Sequence, residues 1–192
     1  MSRPSLPEPT CWSVAVEYFR LFRNGFTGDI PKSTRKIDSK AQIDFLRAVM
    51  APDVTYDTVV GVRALVQNWQ RVTATHPDID ISLIRLEQNA DDSVAVTVKV
   101  LTIISEDTVM YAFPHLMDGD NFSPLAQKLL GRQLELDGVL QMTWDANQGR
   151  VINLQSSANM MMEMLRILGS LEDVASVFDS ANIDPEWRAL AH

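Results

Sequence analysis

The residues of this chain that could do acid–base or hydrogen-bond chemistry on a small molecule are Tyr18, Tyr56, Asp57, Trp69, Lys99, Tyr111 and His115. An aspartate base beside a tyrosine donor suits removal of a proton next to a carbonyl, the phenol holding the oxyanion that develops. The adjacent pair Tyr56 and Asp57 is the most suggestive, but neighbours on an extended chain point to opposite faces, so the spacing predicts that the two are split. Tyr18 has apolar neighbours on a helical pattern and reads as a core tyrosine with a bonded hydroxyl. Lys99 shares a strand face with Thr97 and Leu101 and reads as a sheet-surface lysine. His115 follows Pro114 and reads as a loop histidine bonded to backbone; His76 before Pro77 reads as a helix end. The three histidines (His76, His115, His192) and the single Cys11 are far apart, without HExxH or CxxC spacing. Neither GxGxxG, a phosphate-cradling loop nor a GxSxG elbow occurs. The sequence therefore assigns no catalytic residue, no metal and no cofactor.

The elements that must position these residues follow from composition and punctuation. A chain of 192 residues with 46% apolar and 22% charged residues suits one globular domain that needs no disulfide or metal to be stable. One cysteine cannot form an internal disulfide, which fits a reducing compartment; with no signal-peptide core and no membrane-length run, an intracellular location, cytoplasmic or nuclear, is expected. A net charge of −8 opposes a phosphate backbone. The densest basic stretch, Lys32, Arg35, Lys36 and Lys40, is diluted by Asp29 and Asp38 and reads as a solvated loop, so direct nucleic-acid binding is not expected.

Residues 1–10, rich in proline, read as a flexible leader. Apolar spacing predicts a helix from Cys11 to Phe26 with Trp12, Ala15, Val16, Phe19, Phe22 and Phe26 on one face. Ser39 to Gln42 reads as a capping box opening a short helix that Pro52 stops. A strand over Asp53–Val60 leads through Gly61 to a helix carrying Leu65, Val66, Trp69 and Val72. Alternation then marks strands: Ile79 to Leu86 with a bulge where the phase slips at Ile84, Ser93 to Ser105, a strand with Val109, Tyr111 and Phe113, Leu134 to Trp144, and Val151 to Ser157. Ser123-Pro124 starts a short helix that Gly131 ends. Terminal helices are expected over 159–168 and 170–181, with a last turn at Asp184-Pro185-Glu186. Met160, Met161, Met162 and Met164 read as a cap over the open end of the sheet.

This order, helices first and then long hairpin-linked strands, is α+β, with the sheet curling around the first and third helices. Together with Ala51-Pro52-Asp53-Val54 after the second helix and the Gly61 helix, it resembles the nuclear transport factor 2-like (SnoaL-like) cone superfamily from Trp12 to Ser157. Five stretches point further: Trp12 to Arg23, Asp44 to Val54, and the shorter motifs Phe113-Pro114-His115-Leu116, Leu129-Leu130-Gly131 and Leu168 to Val174. They resemble the C-terminal domain of bZIP transcription-factor-like proteins of oomycetes. The resemblance implies a cone at 11–157, an antiparallel curved sheet packed on N-terminal helices, with C-terminal helices at 158–192 packing on the same domain. It implies a non-enzymatic ligand-binding or dimerisation module of a transcription regulator, working as a homodimer through the sheet and holding an apolar small molecule. The alternative is a small isomerase, dehydratase or hydrolase acting inside the cone. Tyr18, Tyr56, Trp69, Tyr111, His115 and Trp144 are the pocket candidates. About ten residues precede the first helix and form no basic zipper helix, so zipper-mediated DNA binding is not carried over.

Overall fold

The computed structural model describes residues 7–28 and 37–190. The first six leader residues, Lys32, Arg35 and Lys36 of the polar loop, and His192 lie outside the described residues. The elements are α1 (Cys11–Leu21), α2 (Ser39–Val49), β1 (Met50–Tyr56), β2 (Val59–Val60), α3 (Val62–Thr75), β3 (Asp80–Gln88) and β4 (Val94–Ile103). They continue with α4 (Glu106–Ala112), a 3-10 turn (Pro114–Leu116), β5 (Met117–Asp118), β6 (Asn121–Phe122), α5 (Pro124–Leu129), β7 (Gln133–Asp145), β8 (Arg150–Ala158), α6 (Met160–Leu168) and α7 (Leu171–Phe178). Six strands form one curved sheet in the order β2-β1-β8-β7-β4-β3. The sheet is not wholly antiparallel, because β1 runs parallel to β8. The ladder β3–β4 slips between Leu83 and Arg85, where the sequence phase slips.

Strict alternation makes one face of the sheet apolar: Val94, Val96, Val98 and Val100 from β4, and Leu134, Leu136, Leu140 and Met142 from β7, are all buried. Helices α1 and α3 lie in the curl. Their contact is aromatic, with Phe22 stacked on Trp69 at 4.9 Å and Tyr18 at 5.1 Å from Phe22.

Helix α1 stops at Leu21 and not at Phe26, although Phe22 and Phe26 remain buried. The chain turns after the Phe22 cap, and Gly25, at a φ of +78°, lets it pass Thr73; a Cβ there would lie 2.5 Å from the Thr73 hydroxyl. Trp12 and Val16, expected inside, are exposed, because the helix turns its Tyr18 and Cys11 side to the sheet.

Helix α2 is capped by Asp38, whose carboxylate accepts the Ala41 amide, and not by Ser39. Gln42 is thereby freed for another task. Fully buried, it donates through Nε2 to the carbonyls of Leu21 (2.8 Å) and Gly25 (2.9 Å), and its Oε1 accepts the Thr27 amide (3.0 Å) and hydroxyl (3.0 Å). One side chain thus satisfies the backbone groups that the end of α1 leaves open.

The strand expected over Val109 to Phe113 is replaced by helix α4, which ends at Ala112: Ser105 and Thr108 make a reciprocal capping box that opens it. Residues Asp184–Glu186 form a turn and no helix. The four methionines divide, Met160 and Met164 entering the core while Met161 and Met162 face out. Helix α6 covers the edge of β7 where β8 has ended: Glu163 accepts the Glu135 amide (3.2 Å), Arg166 donates to the Gln133 carbonyl (3.0 Å), and the Asn159 amide donates to the Asp137 carbonyl (3.2 Å). An open strand edge is thus closed by two side chains and one backbone amide. No helix among the described residues is long and apolar enough to cross a membrane.

Replacing Gln42 by leucine removes four hydrogen bonds and leaves buried backbone groups unpaired, so Gln42→Leu is expected to lower stability by about 3 kcal/mol in urea unfolding. A loss below about 1 kcal/mol would show that water reaches those groups.

Candidate functional site

A cavity of about 160 Å³ remains between α3, the inner face of the sheet and the C-terminal segment. Its apolar wall comes from alternating positions of the strands and from two helices: Val98, Val100 and Leu140 with Phe19 of α1 and Val72 of α3. Gly138 belongs to the same wall, and a Cβ there would press on Val98 at 3.2 Å and on the Ser157 carbonyl at 3.3 Å, so the glycine lets β7 bend here.

The polar end of the cavity is built at the close of β1. Asp57 takes a φ of +48°, which an aspartate tolerates, and this breaks the alternation that would have turned it away from Tyr56. The expectation that the pair is split is therefore corrected: both line the cavity and both meet Ser156 of β8. The Asp57 amide donates to the Leu154 carbonyl (3.0 Å) as the last rung between the strands. Its carboxylate then accepts the Ser156 amide (3.0 Å) and hydroxyl (2.8 Å), and the Tyr56 hydroxyl bonds the Ser156 hydroxyl at 3.1 Å. Loss of solvent raises the Tyr56 pKa, with the Ser156 bond acting against that shift, so the phenol is protonated at neutral pH. Tyr56, Ser156 and Asp57 form one chain that ends on a carboxylate already holding two donors.

Two further polar groups lie on the wall, each facing a tryptophan. Trp69 Nε1 donates to the Tyr18 hydroxyl at 2.8 Å; burial, then the neighbouring Tyr56, raises the Tyr18 pKa. His76, at the end of α3, accepts at Nε2 from Trp187 Nε1 at 3.0 Å. An indole nitrogen can only donate, so neutral His76 carries its proton on Nδ1. That atom is buried and has no partner among the described residues. Burial lowers the His76 pKa to about 4 against the weaker pull of Asp78, so the ring is neutral at pH 7.

The mouth is covered by the segment 183–190, beyond the last helix, and not by the methionines of α6. Ile183 bridges Ala189, and Asp184 accepts the amides of Glu186 (3.0 Å) and Arg188 (2.9 Å) and pairs with the Arg188 guanidinium (3.0 Å). Backbone bonds from Ala158 to Glu186 and from Met160 to Pro185 tie this strap to the end of β8. Trp187 sits at a φ of +62°, strained for a bulky residue by about 1–2 kcal/mol and offset by its packing and its bond to His76.

Of the six sequence candidates, the cavity brings together Tyr18, Tyr56 and Trp69. Tyr111 is exposed, on α4; His115 bonds the Ser176 carbonyl (3.1 Å) away from the cavity; Trp144 sits near the end of β7, its amide on the Ser93 hydroxyl. Lys99 lies on the outer sheet face, paired with Glu135. His76, Ser156 and Trp187 were missed as site residues. A serine in a strand and a tryptophan near the chain end carry no local signal, whereas His76 was visible and read only as a helix end.

Comparison with known proteins agrees with this fold. A protein described as a SnoaL-like polyketide cyclase from Jannaschia sp. CCS1 superposes with a TM-score of 0.53 at 15% identity, over 88% of this chain and 99% of that one. A SnoaL-like polyketide cyclase from Agrobacterium tumefaciens gives a TM-score of 0.55 at 12% identity, over 84% and 99%. An NTF2-like protein from Exiguobacterium sp. 255-15 gives 0.50 at 16%, over 76% and 97%. The chain has the NTF2-like cone fold. Within it, residues 12–75, which span α1 to α3, match the family described as BZIP transcription factor 1 C-terminal domain. The motifs beyond residue 75 lie outside that match. No curated protein matches in sequence.

With its pKa lowered in the fold, His76 stays neutral while the unfolded chain binds a proton below about pH 6.5. The unfolded state then holds more protons, so stability is full above that pH and falls as pH drops towards 4, by about 3 kcal/mol from this group. Urea unfolding of the natural chain and of His76→Asn between pH 4 and 7 measures it: a steeper loss in the natural chain is expected, and parallel curves would show the imidazole to be hydrated.

Proposed function

We propose that this chain is a ligand-binding module of a regulatory protein inside the cell, in which the cone encloses a small, largely apolar molecule. The observation that carries the reading is the cavity of about 160 Å³, apolar on most of its wall and covered by a strap that the fold holds in place with a strained tryptophan. Apolar cavities of roughly 150 Å³ bind benzene-sized molecules. The similarity of residues 12–75 to the C-terminal domain of a bZIP transcription factor supports a regulatory setting. The polar groups at the end of β1 favour binding over turnover, since both oxygens of Asp57 already serve Ser156. The reading includes a homodimer through the outer sheet face, where Val139 and Ile103 are exposed beside the Lys99–Glu135 pair.

Toluene is the probe for the cavity. At a hundred times its dissociation constant it is expected to stabilise the chain by about 2.7 kcal/mol, seen as a rise in melting temperature. The shift should vanish in Val100→Phe, whose ring occupies the same space, with circular dichroism confirming the variant's fold. Light scattering of the same preparation should give the mass of two chains. No toluene shift would end the ligand-binding reading, and a monomer at high concentration would end the dimer.

One observation favours a second reading, an enzyme that removes a proton next to a carbonyl: Tyr56, Ser156 and Asp57 form a continuous hydrogen-bonded chain on the cavity wall. It requires deuterium exchange at the α-carbon of cyclohexanone in D₂O, lost in Asp57→Asn. Exchange at the rate of buffer alone would remove this alternative.

A further inference from the structure

We propose that the occupant of the cavity is a neutral molecule about one ring in size, whose carbonyl or equivalent acceptor is taken by the Tyr18 hydroxyl and by His76 Nδ1–H. This deepens the ligand-binding reading and rests on it.

Hydrogen-bond polarity decides what the cavity can hold. Two indoles face the cavity, and each donates to a wall residue: Trp69 to the Tyr18 oxygen, Trp187 to His76 Nε2. Neither bond uses the acceptor residue's own proton. The Tyr18 phenol keeps an O–H that meets no acceptor among the described residues, and Tyr18 is 1% exposed. His76 keeps an Nδ1–H with no partner among the described residues, and His76 is 2% exposed. Buried donors without acceptors are rare in folded proteins, and here two share the wall of one cavity.

These two donors lack an acceptor. The carboxylates of the lining, Asp57 and Glu186, are already engaged by Ser156 and Arg188, so a cation would face two donors with no free counter-charge. An anion buried this deeply needs a cation beside it. The two arginines of the lining do not provide one: Arg188 is held by Asp184 and Glu186, and Arg71 is exposed at the rim. The third phenol of the site is also spent, since Tyr56 bonds Ser156. A neutral acceptor on an apolar ring satisfies every group, and the volume of about 160 Å³ leaves room for one ring with a small substituent.

Cyclohexanone and methylenecyclohexane test this, because they share a shape and differ in C=O against C=CH₂. By calorimetry on the full chain, the ketone is expected to bind at least as tightly as the alkene, although it gives up better hydration. Tyr18→Phe should weaken the ketone about tenfold and leave the alkene within about twofold. In the natural chain, the ¹⁵N–¹H resonance of the His76 ring should move with the ketone and not with the alkene, a readout that holds even if the variant folds poorly. An alkene bound more than about tenfold tighter than the ketone, with the His76 resonance unmoved, overturns the inference and leaves the ligand-binding reading standing. Failure of both probes together with toluene overturns both.

Discussion

A curved sheet with one apolar face has to be filled, and in this protein it is filled by rings. Phe22 stacks on Trp69, Tyr18 packs on both, and the Trp69 indole donates to the Tyr18 hydroxyl. That hydrogen bond gives a non-directional aromatic contact a direction, and so fixes how α3 sits on α1. The placement of β1, which follows α2 and pairs with β8, and of the strap that leans on His76 at the end of α3, depends on it. It also decides what is left over. The rings fill one end of the curl, and the aliphatic side chains of β4 and β7 cannot close the other, so a cavity remains beside Tyr18.

The C-terminal third of the chain is part of the cone's closure. Helix α6 supplies a carboxylate, a guanidinium and an Asn159 cap amide to the bare edge of β7, replacing the strand that is missing there. The strap covers the mouth, and its Trp187 holds a backbone conformation that a free chain would leave. Strain of this kind persists only where surrounding contacts over-determine it. The bond to buried His76 is one such contact, which ties the closure of the site to the neutral state of an imidazole.

Asp57 shows how one residue can serve structure and site together. Its left-handed backbone ends β1, its amide makes the final rung to β8, and its carboxylate then takes the next amide of β8 as a carbonyl would. The same carboxylate orients the Ser156 hydroxyl, and through it Tyr56. A side chain so committed is a poor candidate for taking a proton from a substrate without cost to the fold.

Periodicity and punctuation in the sequence were sufficient for the three N-terminal helices, the bulge in β3, the alternating faces of β4 and β7, and the helix after Ser123-Pro124, because those features depend on neighbours a few residues apart. The cone follows from them, since an apolar face and a bulge leave a long sheet little choice but to curl around its helices. Alternation was read too far at Val109 to Phe113, where the Ser105–Thr108 cap made a helix. It also misplaced Asp57, where one left-handed residue reversed a side chain. Tyr18, Tyr56 and Trp69 were legible as pocket residues because they sit on the inward stripe of regular elements. The parallel pairing of β1 with β8, the four-fold grip of Gln42, and the meetings of Ser156 with Asp57 and of Trp187 with His76 were decided only by tertiary structure. Each joins groups separated by about fifteen to more than one hundred positions. No local pattern encodes such a contact, because its partners become neighbours only once the sheet has closed around the rings.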